Sequence, residues 1–122
     1  MFVGDLSNGD IRLVKLINSL PIPKSVILGN HDRGLDPLGS QLQTQQKLLG
    51  QNNCGWGVGS LGNVPLSVVG ARPCSAGGGY YLSNEMKSVY GEVSMEESIN
   101  KIVNSAVKTP VSLPLVILAH SG

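Results

Sequence analysis

Ser25-Val26-Ile27-Leu28-Gly29-Asn30-His31-Asp32 is the stretch whose reading decides the fold. Four apolar or small residues run without alternation into a glycine, as in a strand buried on both faces. A polar tetrapeptide follows at once. Just upstream, Leu13, Val14, Leu16, Ile17 and Leu20 share one helical face, with Asp10 placed as N-cap and Pro21 as the stop. Helix then buried strand is the pattern of a parallel α/β sheet.

The same reading extends outward. Met1-Phe2-Val3-Gly4-Asp5 reads as the end of a strand, and Ser40 to Leu49 as a short helix closed by Gly50. Gln51 to Gly62 is glycine-dense and irregular, Leu66 to Gly70 a strand, and Ala71 to Tyr81 a loop. Asn84 to Tyr90 holds one or two helical turns. Ser94-Met95-Glu96-Glu97 is a capping box. It opens a helix whose Ile99, Ile102, Val103, Ala106 and Val107 fall on one face, expected to be a core face. Leu115 to Ala119 is a last buried strand.

Composition agrees with one small domain over residues 1–122. Sixteen glycines and seven prolines make the chain loop-rich, and 14% charged residues make it apolar. A net charge of +1 gives no basic excess for a nucleic-acid patch. The aromatics Phe2, Trp56, Tyr80, Tyr81 and Tyr90 are too scattered for a base-stacking platform. Cys54 and Cys74 lack the paired spacing of a zinc site and are expected to be free thiols in a reducing compartment. No apolar run approaches the ~18 residues of a membrane span, and no signal peptide is visible. The expectation is a soluble, intracellular chain without a membrane partner.

Three polar groups share one topological address. Gly4-Asp5, Gly29-Asn30-His31-Asp32 and His120-Ser121-Gly122 each follow an apolar strand. Ligands of open α/β sheets bind at those strand ends. Asp, Asn and His supply oxygen and nitrogen donors suited to Mn, Fe, Zn or Mg. By contrast, Gly57 to Gly62 fits G-x-G-x-x-G, but Pro65 denies it the helix that a dinucleotide site needs. Ser75 to Tyr80 lacks the Gly-Lys-Ser/Thr of a P-loop.

Val3-Gly4-Asp5, Gly29-Asn30-His31-Asp32 and Ile117-Leu118-Ala119-His120-Ser121-Gly122 together resemble the calcineurin-like metallophosphoesterases. Pro23 to Asp32 and Val68 to Pro73 look closest to a cyanobacterial and plant branch of that family. The resemblance implies an αββα sandwich, two divalent metal ions and hydrolysis of a phosphoester substrate. It makes Asp5 the bridging carboxylate, and Asn30 and His120 ligands of the second metal. It makes His31 the acid that assists the leaving group and Asp32 the residue that orients His31. Arg72 would contact a substrate phosphate. A plant or cyanobacterial origin would place the chain in cytoplasm or plastid. The family's Asp-x-His, expected before Asp5, and its Gly-His-x-His, expected after His120, are not in this sequence. The chain is therefore expected to be an incomplete version of a longer phosphoesterase. A non-catalytic binding or regulatory module of the same fold is the alternative.

Overall fold

A computed structural model describes residues 1–35, 40–71 and 94–120. The chain is a mixed α/β structure. The elements are β1 (Phe2–Val3), α1 (Ile11–Ser19), β2 (Val26–Ile27), a 3-10 turn at Asn30–Arg33 and α2 (Ser40–Leu49). A second 3-10 turn (Gly50–Asn52), β3 (Val58–Gly59), β4 (Ser67–Gly70), α3 (Met95–Ala106) and β5 (Leu115–Leu118) complete it. The helix expected within Asn84 to Tyr90 and most of the Ala71 to Tyr81 loop lie outside the described residues.

Local chemistry sets the helix ends. The Asp10 carboxylate accepts from the Arg12 amide at 2.9 Å and caps α1. The Arg12 guanidinium on the same carboxylate holds its pKa down at about 2. At the other end the Lys24 ammonium donates to the Leu20 carbonyl at 2.8 Å, where cations favour the helix dipole. The Ser94 hydroxyl accepts from the Glu97 amide at 3.1 Å, the expected cap of α3.

The strands make two sheets. β1 pairs with β2 in parallel, Phe2 opposite Val26 and Val3 opposite Ile27. The second sheet has the order β3-β4-β5, antiparallel then parallel. β2 supplies both cores because successive side chains point to opposite faces. Val26 and Leu28 pack with Val14 of α1 and with Leu42 and Leu49 of α2. Ile27 packs the other way, with Cys54, Val68 and Leu118. The layers thus run helices, sheet, sheet, with α3 lying over β4. The segment from Asn53 to Gly59 crosses between the sheets: the Cys54 amide donates to the Val26 carbonyl, and the Gly70 amide to the Gly57 carbonyl, each at 2.9 Å. It closes one long side of the sandwich.

Three expectations change. The last strand, expected to be buried, is buried only at Leu118, with Leu115 and Ile117 40% and 52% exposed. A short strand, β3, emerges inside the glycine-dense Gln51 to Gly62 stretch, because Val58 and Gly59 find partners in β4. The apolar face of α3 is not a core face. Ile99, Val103 and Val107 are 52%, 51% and 74% exposed, while Ser98 and Ser105 are the buried residues. The Ser105 hydroxyl donates to the Trp56 carbonyl at 3.2 Å, and Lys101 lies over the Trp56 ring. The helix therefore turns its serine edge to β4 and leaves its apolar flank beside it.

Cys54 is a free, buried thiol, as expected; Cys74 lies outside the described residues. Burial pushes the Cys54 thiol up to about 11 from 9.0, against a smaller opposite pull from its contact with the Val26 carbonyl. In a Cys74→Ser background, Cys54 should stay silent to a thiol reagent at mildly alkaline pH until the protein unfolds. The unfolded thiol ionises first, so stability should fall as pH rises from about 9 towards 11. Rapid labelling of the folded protein would contradict this burial.

Candidate active site

The site is built where β1, β2 and β5 end. All three strands bring their C-terminal ends together. The Gly4 amide donates to the Ile27 carbonyl at 3.0 Å, extending the β1–β2 ladder by one bond. The backbone then breaks sharply. Gly4 and Asp5 both take positive φ, 68° and 47°. The left-handed region is costly for a residue with a Cβ, and such conformations gather at functional sites. This turn lifts the Asp5 carboxylate off the sheet and over the start of the next motif.

One oxygen of Asp5 has two partners from two different strands. Oδ1 accepts from the His31 amide at 3.0 Å. It also lies 3.4 Å from Nε2 of His120, just past β5. The His120 side chain is largely buried and that of Asp5 about one-third exposed, so the pair has one open face. His31 is exposed and lines a neighbouring pocket. Among the described residues its ring makes no hydrogen bond and is free to meet a ligand. Of the residues expected from sequence to converge, Asp5 and His120 meet through their side chains and His31 joins them through its main-chain amide. Asn30 begins the 3-10 turn beside them. Arg72 lies outside the described residues.

Asp32 does something other than the resemblance implies. It is fully buried. Its Oδ1 accepts from the Ser7 amide at 2.6 Å, the Ser7 hydroxyl at 3.0 Å and the Asn8 amide at 3.2 Å. Its Oδ2 accepts from the Gly29 amide at 2.7 Å. These bonds use the carboxylate on main-chain donors and the Ser7 hydroxyl, not on the His31 ring. Gln45 of α2 completes the support: its amide nitrogen donates to the Asp32 carbonyl at 2.6 Å, and its oxygen shares the single Ser7 hydroxyl proton with Asp32 Oδ1. Asp32 ties the β1–α1 turn to the β2 turn and so fixes the spacing of Asp5 and His31.

Sequence reasoning missed Ser7 and Gln45 in this support. It also missed a neighbouring pocket of about 240 Å³, lined by Asn8, His31, Arg33, Gly34 and Leu35. The available signal was position alone, since Arg33 directly follows the tetrapeptide and Asn8 sits in the turn after Asp5.

A carboxylate and an imidazole 3.4 Å apart suit a divalent ion in kind. Among the described residues no group of three or more His, Cys, Asp or Glu side chains is placed to hold one. No helix among them is long and apolar enough to cross a membrane. Comparison with known proteins returns no match, whether to a family model, a curated protein or a solved structure.

Proposed function

We propose that this chain carries a metallophosphoesterase-like site, in a sandwich of the αββα type, for metal-dependent hydrolysis of a phosphoester. The carrying observation is the meeting of three strand ends at one carboxylate: Asp5 Oδ1 takes the His31 amide and faces His120 Nε2. Asp5 and His120, with the Asn30 amide, are the proposed holders of divalent metal (Mn, Fe, Zn or Mg). Bound there, such ions lower the pKa of a water and neutralise charge on phosphate oxygens.

The chain's own residues have separate tasks. Asp5, raised on its left-handed turn, presents its carboxylate to the open face. Its hydrogen bond to the His31 amide holds the 3-10 turn so that the exposed imidazole stands at the same opening. From there His31 donates a proton to the departing oxygen. Asp32 is a positioning residue that keeps both turns in register from below. The pocket beside His31, with Arg33 on its rim, is where the leaving portion of the substrate would lie.

Titration with Mn²⁺ followed by assay on a chromogenic phosphodiester tests this reading. Wild type should bind the ion, and Asp5→Asn and His120→Ala should weaken binding by at least ~10-fold. His31→Ala should keep the ion and lose ~10²–10⁴-fold in rate, the range for a general acid. Absence of binding by wild type, or full activity in His31→Ala, would end the reading. A non-catalytic module of the same fold is the second reading, favoured by the small donor set among the described residues. It expects metal or phosphate binding without turnover.

A further inference from the structure

A polar cavity of about 430 Å³ lies at the other end of β2. Its walls are the approach to β2, the 3-10 turn after α2, and β3 with the turn that follows it. Asn53 bridges to Val26 on the flank of β2 away from β1, and the cavity lies on that flank. Lys24 forms part of the wall, six positions before Asn30. At ~3.3 Å per residue of extended chain, it stands roughly 20 Å from the turn that carries Asn30 and His31.

Lys24 is a buried cation, only 8% exposed. Its ammonium donates to the Leu20 carbonyl at 2.8 Å and, at the limit of a hydrogen bond, to the Asn18 carbonyl at 3.5 Å. It meets no carboxylate among the described residues. An ammonium has three N–H donors, so one is left over, and a buried charge without a counter-charge is costly. Asn18 ties the same wall together. Its Nδ2 donates to the Leu48 carbonyl at 3.1 Å, and its Oδ1 accepts from the Asn52 carboxamide at 2.7 Å. One residue thus sets the Lys24 ammonium and the Asn52 side chain next to each other. Asn52 keeps a second N–H. Gln51 and Ser60, both exposed in the lining, make no side-chain hydrogen bond among the described residues.

We propose that this cavity is a ligand site, distinct from the Asp5–His120 cluster, for a small aliphatic monocarboxylate. The carboxylate takes the remaining N–H of Lys24 and the second N–H of Asn52, with Gln51 and Ser60 as further donors at the mouth. The hydrocarbon part rests on Pro23 and Val58, the apolar side chains of the lining. Other ligand classes satisfy less. Among the described residues the lining holds no acidic side chain, so a cation would face the Lys24 charge with nothing to offset it. It holds no aromatic ring on which a base could stack. A phosphate dianion brings two charges to one ammonium at the C-terminal end of α1, where the helix dipole disfavours excess negative charge. A monocarboxylate matches the single cation. The volume lies within the ~300–1,000 Å³ usual for small-molecule sites.

Amide NMR of the full chain, titrated with sodium isobutyrate at neutral pH, tests the site. The amides of Lys24, Asn52 and Ser60 should shift saturably, with a Kd on the order of millimolar for so small a probe. Isobutyramide, with the same shape and no charge, should leave them unmoved. Gln51→Glu changes an exposed side chain without changing its size, so the fold should be kept. It sets a like charge beside the carboxylate and should weaken binding by at least ~5-fold. Lys24→Met keeps the alkyl stem and should abolish saturable binding; should that variant fail to fold, Gln51→Glu decides alone. Three results would overturn the proposal: no saturable shift at these amides, equal binding of isobutyramide, or shifts centred on Asp5 and His120. Inorganic phosphate binding here more tightly than isobutyrate would overturn it as well.

Discussion

Asp32→Ala is expected to unfold the protein or bring it close to unfolding. The side chain is fully buried and accepts from three main-chain amides and one hydroxyl. Truncation leaves the buried Ser7 and Gly29 amides without acceptors, at about 1–3 kcal/mol for each that water cannot reach, while the Ser7 hydroxyl keeps Gln45. A domain of this size has ~5–15 kcal/mol in total, and small domains sit at the low end. Asp32→Asn is the more informative companion. Its one oxygen serves the Ser7 and Asn8 amides, while its NH2 is forced against the Gly29 N–H. The loss should be ~1–3 kcal/mol, intermediate between wild type and Asp32→Ala. Urea unfolding measures both. If Asp32 instead acted chiefly by orienting the His31 ring, the Asn variant would keep the wild-type midpoint and change only the pH–rate profile. An unchanged midpoint in both variants would therefore refute the scaffold role.

This division of labour shows what one sequence can and cannot disclose. The bounds of α1 and α2 were legible because their signals are local: Asp10 and Pro21 frame one, Ser40 and Gly50 the other. The convergence of Asp5, His31 and His120 was legible because polar residues after buried strands share one end of a sheet. The job of Asp32 was not, since adjacency to His31 in the chain says nothing about which way a buried carboxylate points. Its partners Ser7 and Asn8 are 25 and 24 positions away. β3 was illegible for a similar reason, because two residues become a strand only through β4. The face of α3 was read correctly as apolar and wrongly as buried. Periodicity reports which side of a helix is apolar, while the neighbour that would cover it is a matter of tertiary structure.

Gly29→Ala is expected to dismantle the site while leaving its ligands in the sequence. Gly29 has ordinary extended backbone, with φ of −101°, so the constraint is space and not conformation. A methyl built on its Cα would overlap the main-chain nitrogen and the Oδ1 of Asp5. The overlap falls on backbone that is itself held in a left-handed turn, so no side-chain rotation relieves it. Asp5 must move, and its bond to the His31 amide and its approach to His120 go with it. Gly4→Ala attacks the same contact from the other side. Its methyl would overlap the His120 ring, and Gly4 has φ of 68°, which disfavours any Cβ. Unlike Gly29, it meets a side chain that has some freedom to turn. Mn²⁺ affinity should therefore fall in both variants by at least ~10-fold, about 1.4 kcal/mol, and further in Gly29→Ala than in Gly4→Ala. Gly29→Ala should lose at least as much affinity as Asp5→Asn despite keeping every ligand. Wild-type affinity in Gly29→Ala would mean that the close packing of Gly29 under Asp5 does not set the metal site.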